Sequence, residues 1–251
     1  MKPCYDKDGI MIYQGDCLTI VPKLAGYDLV FADPPFNVGK DYGGSADKRI
    51  DYVAWCKAWM HQCWHGLQST GSFYFMTLTR YLEWQMPYMA AHGVFINLIS
   101  WRNVSTSYSR RAFWGEYQPI MLYGKTNNYV FNTYVQTNEP TKRWDGKHTS
   151  YRGQLKDRWD DIPFVYAGSI KHKEAILLEG TRRKAHPCQM PEGLAERIIL
   201  FSSNEGDTIL DPFLGSGTTA VVAKRLKRRC IGIELNEHFC ELAIQRTEGA
   251  L

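Results

Sequence analysis

Apolar residues along this chain occur in two patterns: short continuous runs and longer stretches with helical spacing. YDLVFAD at 27–33 and GSFYFMT at 71–77 are short runs typical of buried strands. The stretch between them, YVAWCKAWMHQCWHGL at 52–67, has helical periodicity, and its apolar residues include Val53, Trp55, Cys56, Trp59, Met60 and Cys63. A strand, a helix and a second strand in this order predict an α/β fold.

The same order of elements returns near the end of the chain. MPEGLAERIILFSS at 190–203 has helical periodicity, and DTILD at 207–211 reads as a short buried strand. TTAVVAKRLKR at 218–228 then predicts a helix, and CIGIEL at 230–235 predicts another strand. Together the two halves predict a Rossmann-like mixed sheet flanked by helices, with an insertion at about 126–184.

The charge of the chain is concentrated in its middle third. The formal net charge is only +4, whereas residues 102–184 contain 15 Lys and Arg against 8 Asp and Glu. Basic and aromatic residues are interleaved there, in SYSRRAFWGEY at 107–117, TKRWDGKHTSYRG at 141–153 and LKDRWDDIPFVY at 155–166. This mixture suits phosphate contacts and base stacking. A loop-rich subdomain with a small aromatic core and solvated cations is the alternative.

Composition also bounds the location and the cysteine chemistry. The start of the chain has no signal-like apolar run, and no 18 uncharged apolar residues occur together, so we expect a cytoplasmic protein without a membrane segment. The seven cysteines are an odd number and no pair has C-x-x-C spacing. We therefore predict free thiols and no metal site.

The segment LDPFLGSGTT at 210–219 predicts a nucleotide-type binding turn. A strand ends at Asp211, Gly215 and Gly217 lie in the turn, and a helix is predicted to begin near Thr218. Glycines permit a tight turn and close approach of a ligand, and a helix start offers unpaired amide donors. The third glycine of the dinucleotide fingerprint is absent, so the turn alone is equally consistent with a structural role.

A carboxylate at the end of the next strand strengthens the binding interpretation. Glu234 lies near the end of CIGIEL, 17 residues after Gly217, at the position where this type of fold binds ribose hydroxyls. The alternative is a charge at the start of the last helix, near Asn236, and one side chain can fill both roles.

Two motifs together resemble a known enzyme family. ADPPFN at 32–37, combined with LDPFLGSGTT, closely resembles the amino-methyltransferases of DNA that use S-adenosylmethionine, the N4-cytosine/N6-adenine DNA methylase family. QGDCLTIVPKL at 14–24, WRNVSTSYSRRAFWGEYQPIMLYGK at 101–125 and HPCQMPEGLAERII at 186–199 extend the resemblance over nearly the whole chain. The catalytic motif precedes the cofactor motif, which resembles the β class of this family.

The resemblance implies a division of the chain into three parts. It implies a circularly permuted class I methyltransferase core, with a catalytic half at 1–125 and a cofactor-binding half at 185–251. The target recognition region, which binds DNA, would be the insertion at 126–184. Much of the basic and aromatic middle third falls in this region. The resemblance therefore favours DNA binding over a loop-rich subdomain with solvated cations.

The tetrapeptide Asp33-Pro34-Pro35-Phe36 then has a chemical interpretation. An exocyclic amino group is a poor nucleophile because its lone pair is delocalised into the ring. The Asp33 carboxylate and the Pro34 carbonyl can each accept one of its N–H groups and stabilise the positive charge that develops on nitrogen. Two prolines fix these acceptors. Phe36 would stack on the target base after it leaves the duplex, and direct in-line transfer needs no catalytic cysteine. The alternative is a simple Asp-Pro turn.

The resemblance assigns the cofactor, S-adenosyl-L-methionine, to several further residues. It places Asp16 and Cys17 near the adenine ring and Glu234 at the ribose, and Asp16 has a turn or cap as its alternative role. It implies that Thr218 and Thr219 bind the methionine carboxylate. The remaining residues would lie beside the methionine moiety: Asp211, Phe213, Gly215, Ser216 and Gly217. Met190 departs from the pattern, because many relatives have a lysine there that could pair with that carboxylate.

The target base and the partners are less sharply defined. Asp33 at the first motif position favours N6 of adenine, and N4 of cytosine is the alternative with the same mechanism. The expected partner is double-stranded DNA, and analogy leaves a homodimer and a separate restriction enzyme open. The order of the motifs argues against an RNA methyltransferase, and the intact motifs argue against an inactive DNA-binding module. The glycine-rich loop at 37–49 reads as a mobile flap or a solvated connection.

Overall fold

A computed structural model describes residues 2–42, 47–102, 113, 115–132, 141–142, 149–150, 156–163, 174–177 and 185–249. The strands are β1 (Tyr5–Lys7), β2 (Ile10–Gln14), β3 (Tyr27–Ala32), β4 (Leu67–Met76), β5 (Val94–Arg102), β6 (Tyr117–Gly124), β7 (Thr141–Lys142), β8 (Thr149–Ser150), β9 (Arg158–Trp159), β10 (Thr208–Asp211) and β11 (Arg229–Glu234). The α-helices are α1 (Cys17–Ile20), α2 (Tyr52–Gly66), α3 (Leu82–Ala90), α4 (Glu192–Ser202), α5 (Thr218–Arg225) and α6 (Glu237–Glu248). Short 3₁₀ turns occupy Val21–Lys23 and Thr79–Tyr81.

Nine of these strands form one mixed sheet. Its order is β1-β2-β11-β10-β3-β4-β6-β5-β9. The five strands from β2 to β4 in this order are parallel, whereas β1, β6 and β5 each pair antiparallel with a neighbour. β7 and β8 pair separately. The predicted mixed α/β sheet is confirmed.

The strand that ends in the first motif lies beside the strand that ends in the second. β3 and β10 are parallel neighbours, with Leu29 opposite Ile209 and Val30 opposite Leu210, although about 180 residues separate them along the chain. Parallel neighbours have their carboxyl ends at the same edge of the sheet, where ligands bind in open α/β folds. The sheet therefore brings the two sequence motifs together.

Helices cover both faces of the sheet, and β3 shows how its side chains are divided between them. Leu29 and Phe31 belong to the apolar cluster that contains α4 residues, and Val30 and Ala32 belong to the cluster that contains α2 residues. This is the alternation of a strand that is buried on both faces. On α2 the predicted apolar stripe is buried except for Val53, which is 42% exposed.

The glycine turn after β10 has the predicted form. Helix α5 begins at Thr218, and Gly215 and Gly217 have φ values of 54° and 82°. A Cβ atom on Gly217 would lie 2.8 Å from the Ala243 Cα atom of α6. Gly217 is therefore required twice, once for its left-handed backbone and once for the close approach of a helix.

Most of the predicted target recognition region lies outside the described residues. Its described parts contact the core: β9 pairs with β5 at the edge of the sheet, and the Asn132 side chain donates to the Leu200 and Ser203 carbonyls at the end of α4. Of the three basic and aromatic segments, only 113, 115–117, 141–142, 149–150 and 156–163 are described. Their role in DNA binding stays a prediction.

The cysteines and the helices allow two further predictions to be checked against the structure. All seven cysteines are free thiols, as predicted, although the Cys4 and Cys240 sulfur atoms lie 3.2 Å apart. In the part of the chain that the structure describes, no helix combines the length and the apolar character needed to cross a membrane.

Gly217→Ala tests whether the glycine turn needs this glycine both for its left-handed backbone and for the close approach of α6. We expect it to lower the free energy of unfolding by about 3 kcal/mol or more, because the new Cβ adds a clash to the left-handed backbone cost. Gly206→Ala is the matched control: its φ is 86° and nothing lies within 4 Å of the added Cβ. It should cost only about 1–2 kcal/mol in urea unfolding. Equal losses in the two variants would contradict the packing argument.

Candidate active site

A cavity of about 500 Å³ lies at the carboxyl ends of the parallel strands. Ten residues proposed from the sequence line it: Asp16, Cys17, Asp33, Pro35, Asp211, Phe213, Gly215, Ser216, Thr218 and Glu234. The other four lie elsewhere: Pro34, Phe36, Gly217 and Thr219 are not on its wall. Gly217 shapes the turn, as described above, and the Phe36 ring packs beside an apolar cluster of the core. Thr219 is fully buried and interacts with Asp211 from the interior side.

Two carboxylates face the cavity from adjacent strand ends. Asp33 follows β3 and Asp211 ends β10. Asp33 is partly exposed to the cavity, yet its Oδ1 atom is buried and has no hydrogen-bond partner among the described residues. Asp211 is 3% exposed, and its Oδ1 accepts from the Phe213 N–H at 3.0 Å. The two carboxyl groups thus face one cavity from neighbouring strand ends.

The surroundings favour the protonated form of both groups. Burial raises the pKa of Asp33 to about 7; the charge of Asp211 adds to the rise, and Lys40 opposes it. Burial likewise raises the pKa of Asp211 to about 7, and the nearby Thr219 hydroxyl and the hydrogen bond from the Phe213 N–H oppose the rise. Glu234 raises it further. A cation in the cavity would therefore be stabilised by groups that otherwise repel one another.

Neighbouring side chains donate hydrogen bonds to the backbone carbonyls of Pro35 and Phe36, the second half of the tetrapeptide. The Tyr52 hydroxyl donates to the Pro35 carbonyl at 2.9 Å, and the Tyr81 hydroxyl donates to the Phe36 carbonyl at 3.1 Å. Arg80 donates to the same Phe36 carbonyl at 3.3 Å. No described residue donates to the Pro34 carbonyl. The Asp33 Oδ1 atom and the Pro34 carbonyl, which the sequence analysis proposed as acceptors, thus have no hydrogen-bond donor among the described residues.

The loop predicted as a flap is anchored by a carboxylate in its described parts. Asp47 is 8% exposed and accepts from the backbone N–H groups of Val38, Gly39 and Lys40. Two hydrogen bonds join the ends of the loop. The Asn37 side chain donates to the Arg49 carbonyl and accepts from the Arg49 N–H. Residues 43–46 lie outside the described residues, so the predicted mobility is not tested there.

Glu234 connects the cofactor turn to the start of α6. Its Oε2 accepts from the Gly215 N–H at 2.8 Å and its Oε1 accepts from the Asn236 N–H at 2.7 Å. Burial raises the pKa of this carboxyl, and the two amides oppose the rise. Each oxygen keeps a lone pair for a ligand hydroxyl. The structural role and the proposed ribose role are therefore compatible.

Asp16 and Cys17 follow β2 at the neighbouring edge of the cavity. The Asp16 side chain caps α1, where its Oδ1 accepts from the Leu18 N–H at 2.9 Å. Burial raises the pKa of Cys17 to about 12, with a contribution from Asp16, so the thiol is neutral at pH 7. Cys17 therefore acts through its shape and its backbone, and it is not a nucleophile.

Sequence reasoning missed several residues of the cavity wall. His186 was not proposed as a site residue; it lines the cavity and is 6% exposed, and its ring packs edge-on to Phe239 with the centroids 4.4 Å apart. Trp55 was noted as a core residue of α2, yet it also lines the cavity beside Phe213. The others are Gly15, Phe31, Tyr42, Asp47, Lys48, Arg49, Cys188, Pro212, Leu214, Ile233, Leu235, Asn236 and Phe239. Met190, which the sequence analysis singled out as a departure from the family pattern, also lines the cavity. The loop at 37–49, which the sequence predicts as a flap or a solvated connection, is the sequence feature that pointed to four of these residues, namely Tyr42, Asp47, Lys48 and Arg49.

Comparison with known proteins identifies the family. The family model described as DNA methylase matches residues 27–245. The DNA adenine methyltransferase YhdJ of Escherichia coli (strain K12) is 32% identical over 251 residues, covering 95% of this chain and 83% of that protein. This chain belongs to the N6/N4 DNA methylase family.

Solved structures show the same fold. PvuII DNA methyltransferase, named as cytosine-N4-specific, has a TM-score of 0.71 with 20% identity and covers 98% of this chain and 88% of its own. The M1.HpyAVI–SAM complex has a TM-score of 0.60 with 23% identity and covers 94% of this chain and 99% of its own. At these identities the likeness supports the class I methyltransferase fold.

Tyr52→Phe tests whether the held carbonyl positions the tetrapeptide. Loss of one buried hydrogen bond should loosen the acceptors and lower kcat by roughly 5- to 10-fold, with cofactor affinity retained. Tyr88→Phe is the control, because the Tyr88 hydroxyl donates to the Lys57 carbonyl outside the cavity. Steady-state methylation assays would compare the two. Unchanged kcat in Tyr52→Phe would show that the bond has no positioning role.

Proposed function

We propose that the protein transfers a methyl group from S-adenosyl-L-methionine to the exocyclic N6 amino group of adenine in DNA. The observation that carries this proposal is the Asp33 carboxyl group on the cavity wall, whose Oδ1 atom has no hydrogen-bond partner among the described residues. The carbonyl of the next residue, Pro34, likewise has no donor among them. Two fixed acceptors can hold both N–H groups of an amine, so that its lone pair faces the methyl donor.

The chemistry of the cavity suits this methyl donor. S-adenosylmethionine supplies an electrophilic methyl group on a positively charged sulfonium. Asp33, Asp211 and Glu234 provide the negative charge that stabilises such a cation. Glu234 is proposed to accept from the ribose hydroxyls, and Asp16 with Cys17 to contact the adenine ring. The turn from Asp211 to Thr218 is proposed to hold the methionine end.

The target base is proposed to leave the duplex. An amino group in a base pair already donates one hydrogen to its partner, and neither of its faces is open to Asp33 or to the methyl donor inside the helix. Phe36 is proposed to stack on the extruded base next to Pro34. Its backbone is already held by Tyr81 and Arg80, so it can support a base without reorganising the tetrapeptide.

Adenine is favoured over cytosine by two observations. Asp33 at the first motif position resembles the adenine enzymes, and a relative with 32% identity is named a DNA adenine methyltransferase. N4 of cytosine is the second candidate, because the cytosine-N4-specific PvuII enzyme has the same fold. The mechanism is the same for both bases. A homodimer and a separate restriction enzyme stay predictions.

Analysis of the product tests the proposed function. The protein is incubated with S-adenosylmethionine and unmethylated genomic DNA, and the DNA is digested to nucleosides for mass spectrometry. We expect N6-methyladenine, and none with heat-denatured protein. N4-methylcytosine would retain the mechanism and reassign the base, and methylation of RNA alone would contradict the proposal.

Asp33→Asn tests the catalytic role of the carboxylate. We expect turnover to fall at least about 100-fold, because an amide accepts a weaker hydrogen bond and stabilises the charge on nitrogen poorly. Binding of S-adenosylmethionine should persist.

The folded-state pKa of Asp33 is raised, so the carboxylate destabilises the folded state increasingly as pH rises from about 4 through 7. The variant should therefore melt at least about 2 °C higher at pH 8, with a smaller gain at pH 5.5. Lost binding with an intact fold would mean that the motif is misplaced.

The dependence of activity on pH tests the raised pKa of Asp33 directly. Below pH 7 the protonated carboxyl is a poorer acceptor, so kcat/KM should fall about tenfold per pH unit on the acid side, with an apparent pKa near 7. Asp211→Asn should move this acid limb to lower pH, because it removes one negative neighbour of Asp33. Circular dichroism would confirm that the fold persists over the range. An acid limb near the ordinary aspartate pKa of about 4 would contradict the account.

A further inference from the structure

One buried guanidinium contacts the cofactor turn from outside the sequence motifs. Arg246 lies on α6, and its side chain is 14% exposed. Its Nη1 donates to the Ser216 carbonyl at 2.7 Å, to the Ser216 Oγ at 3.3 Å and to the Thr218 Oγ1 at 3.1 Å. Its Nη2 contacts Glu192 at 3.3 Å. Arg246 therefore binds the turn through Ser216 and Thr218.

These contacts determine what the Thr218 hydroxyl can do. Thr218 Oγ1 donates its single proton to the Met190 carbonyl at 3.2 Å and accepts from Arg246. A hydroxyl has one donor, and that donor is already used. The side chain of Thr218 is thus unable to donate to an anionic ligand without breaking its bond to Met190.

Ser216 has the opposite arrangement. Its Oγ accepts from Arg246, and no described residue accepts its proton. Ser216 lines the cavity and is 3% exposed. A hydroxyl that accepts from a guanidinium is a stronger donor, because the two bonds polarise one another. The free proton of Ser216 is the donor that remains for a ligand in the cavity.

We propose that Arg246 is a positioning residue that directs the Ser216 hydroxyl at the carboxylate of the cofactor's methionine end. Thr218 fixes the turn through Met190 and Arg246, and its side chain does not contact the cofactor. This inference rests on the proposed function for the location of the methionine end. It also reassigns the carboxylate contact that the sequence resemblance gave to Thr218 and Thr219.

Calorimetric binding of two ligands to the full chain tests the proposal. The ligands are S-adenosylmethionine and its decarboxylated analogue, which has the same sulfonium and lacks the carboxylate. We expect Arg246→Ala to weaken S-adenosylmethionine about 10-fold or more and the analogue less than about threefold. Ser216→Ala should show the same selective loss. Arg246→Lys should recover part of it, because lysine can still donate to Ser216.

Two variants serve as controls. Arg225 contacts the same Glu192 from α5 but does not reach the turn, so Arg225→Ala should change both affinities less than about twofold. Thr218→Val removes the hydroxyl that holds the turn, and it should change both affinities by the same factor.

Several outcomes would overturn the inference. Equal weakening of both ligands by Arg246→Ala and by Ser216→Ala would indicate a purely structural role, and unchanged binding in both would indicate none. Selective loss of S-adenosylmethionine in Thr218→Val would return the carboxylate contact to Thr218. If Arg246→Ala does not fold, Ser216→Ala and Arg246→Lys decide the question. Failure of the wild-type protein to bind either ligand would instead contradict the proposed function.

Discussion

The candidate active site is built around two carboxylates that are enclosed at the ends of adjacent parallel strands. Asp33 and Asp211 follow β3 and β10, and burial raises the pKa of both to about 7. No salt bridge within the described residues neutralises either group. Such a pair costs stability in the empty protein, and it favours a cationic ligand between the strand ends. Under the proposed function, these carboxylates serve both cofactor binding and catalysis.

The surrounding side chains fix this site through backbone atoms. Tyr52 and Tyr81 hold the Pro35 and Phe36 carbonyls, and Asp47 holds three consecutive amides of the following loop. Glu234 joins the cofactor turn to α6. Each contact leaves the acceptors at Asp33 and Pro34 open. The site is therefore preorganised by side chains from outside the tetrapeptide that hold its backbone and the neighbouring loops.

Local patterns in the sequence predicted a large part of this arrangement. Strands β3 and β10, helix α2 and the start of α5 at Thr218 follow from apolar periodicity and glycine spacing, which are properties of neighbouring residues. Arg246, Tyr52 and Tyr81 were missed because their partners are backbone groups and hydroxyls distant in sequence. The role of Thr218 at the cofactor carboxylate stays a prediction; the sequence did not indicate that its hydroxyl donates to the Met190 carbonyl, which is distant along the chain. Val53 shares the α2 periodicity but lies in its first turn, where it is exposed. Most of the recognition region lies outside the described residues, so its predicted role was not tested.

Proton release on ligand binding tests most directly the claim that a cation relieves the buried carboxylates. Binding of S-adenosylmethionine is measured calorimetrically at pH 7 in buffers of different ionisation enthalpy and compared with binding of S-adenosylhomocysteine, which has the same amino acid end and a neutral sulfur. The account predicts that the sulfonium ligand releases about 0.5 proton or more beyond the neutral one, and that this difference disappears near pH 9. Equal proton release by the two ligands at pH 7 would contradict it.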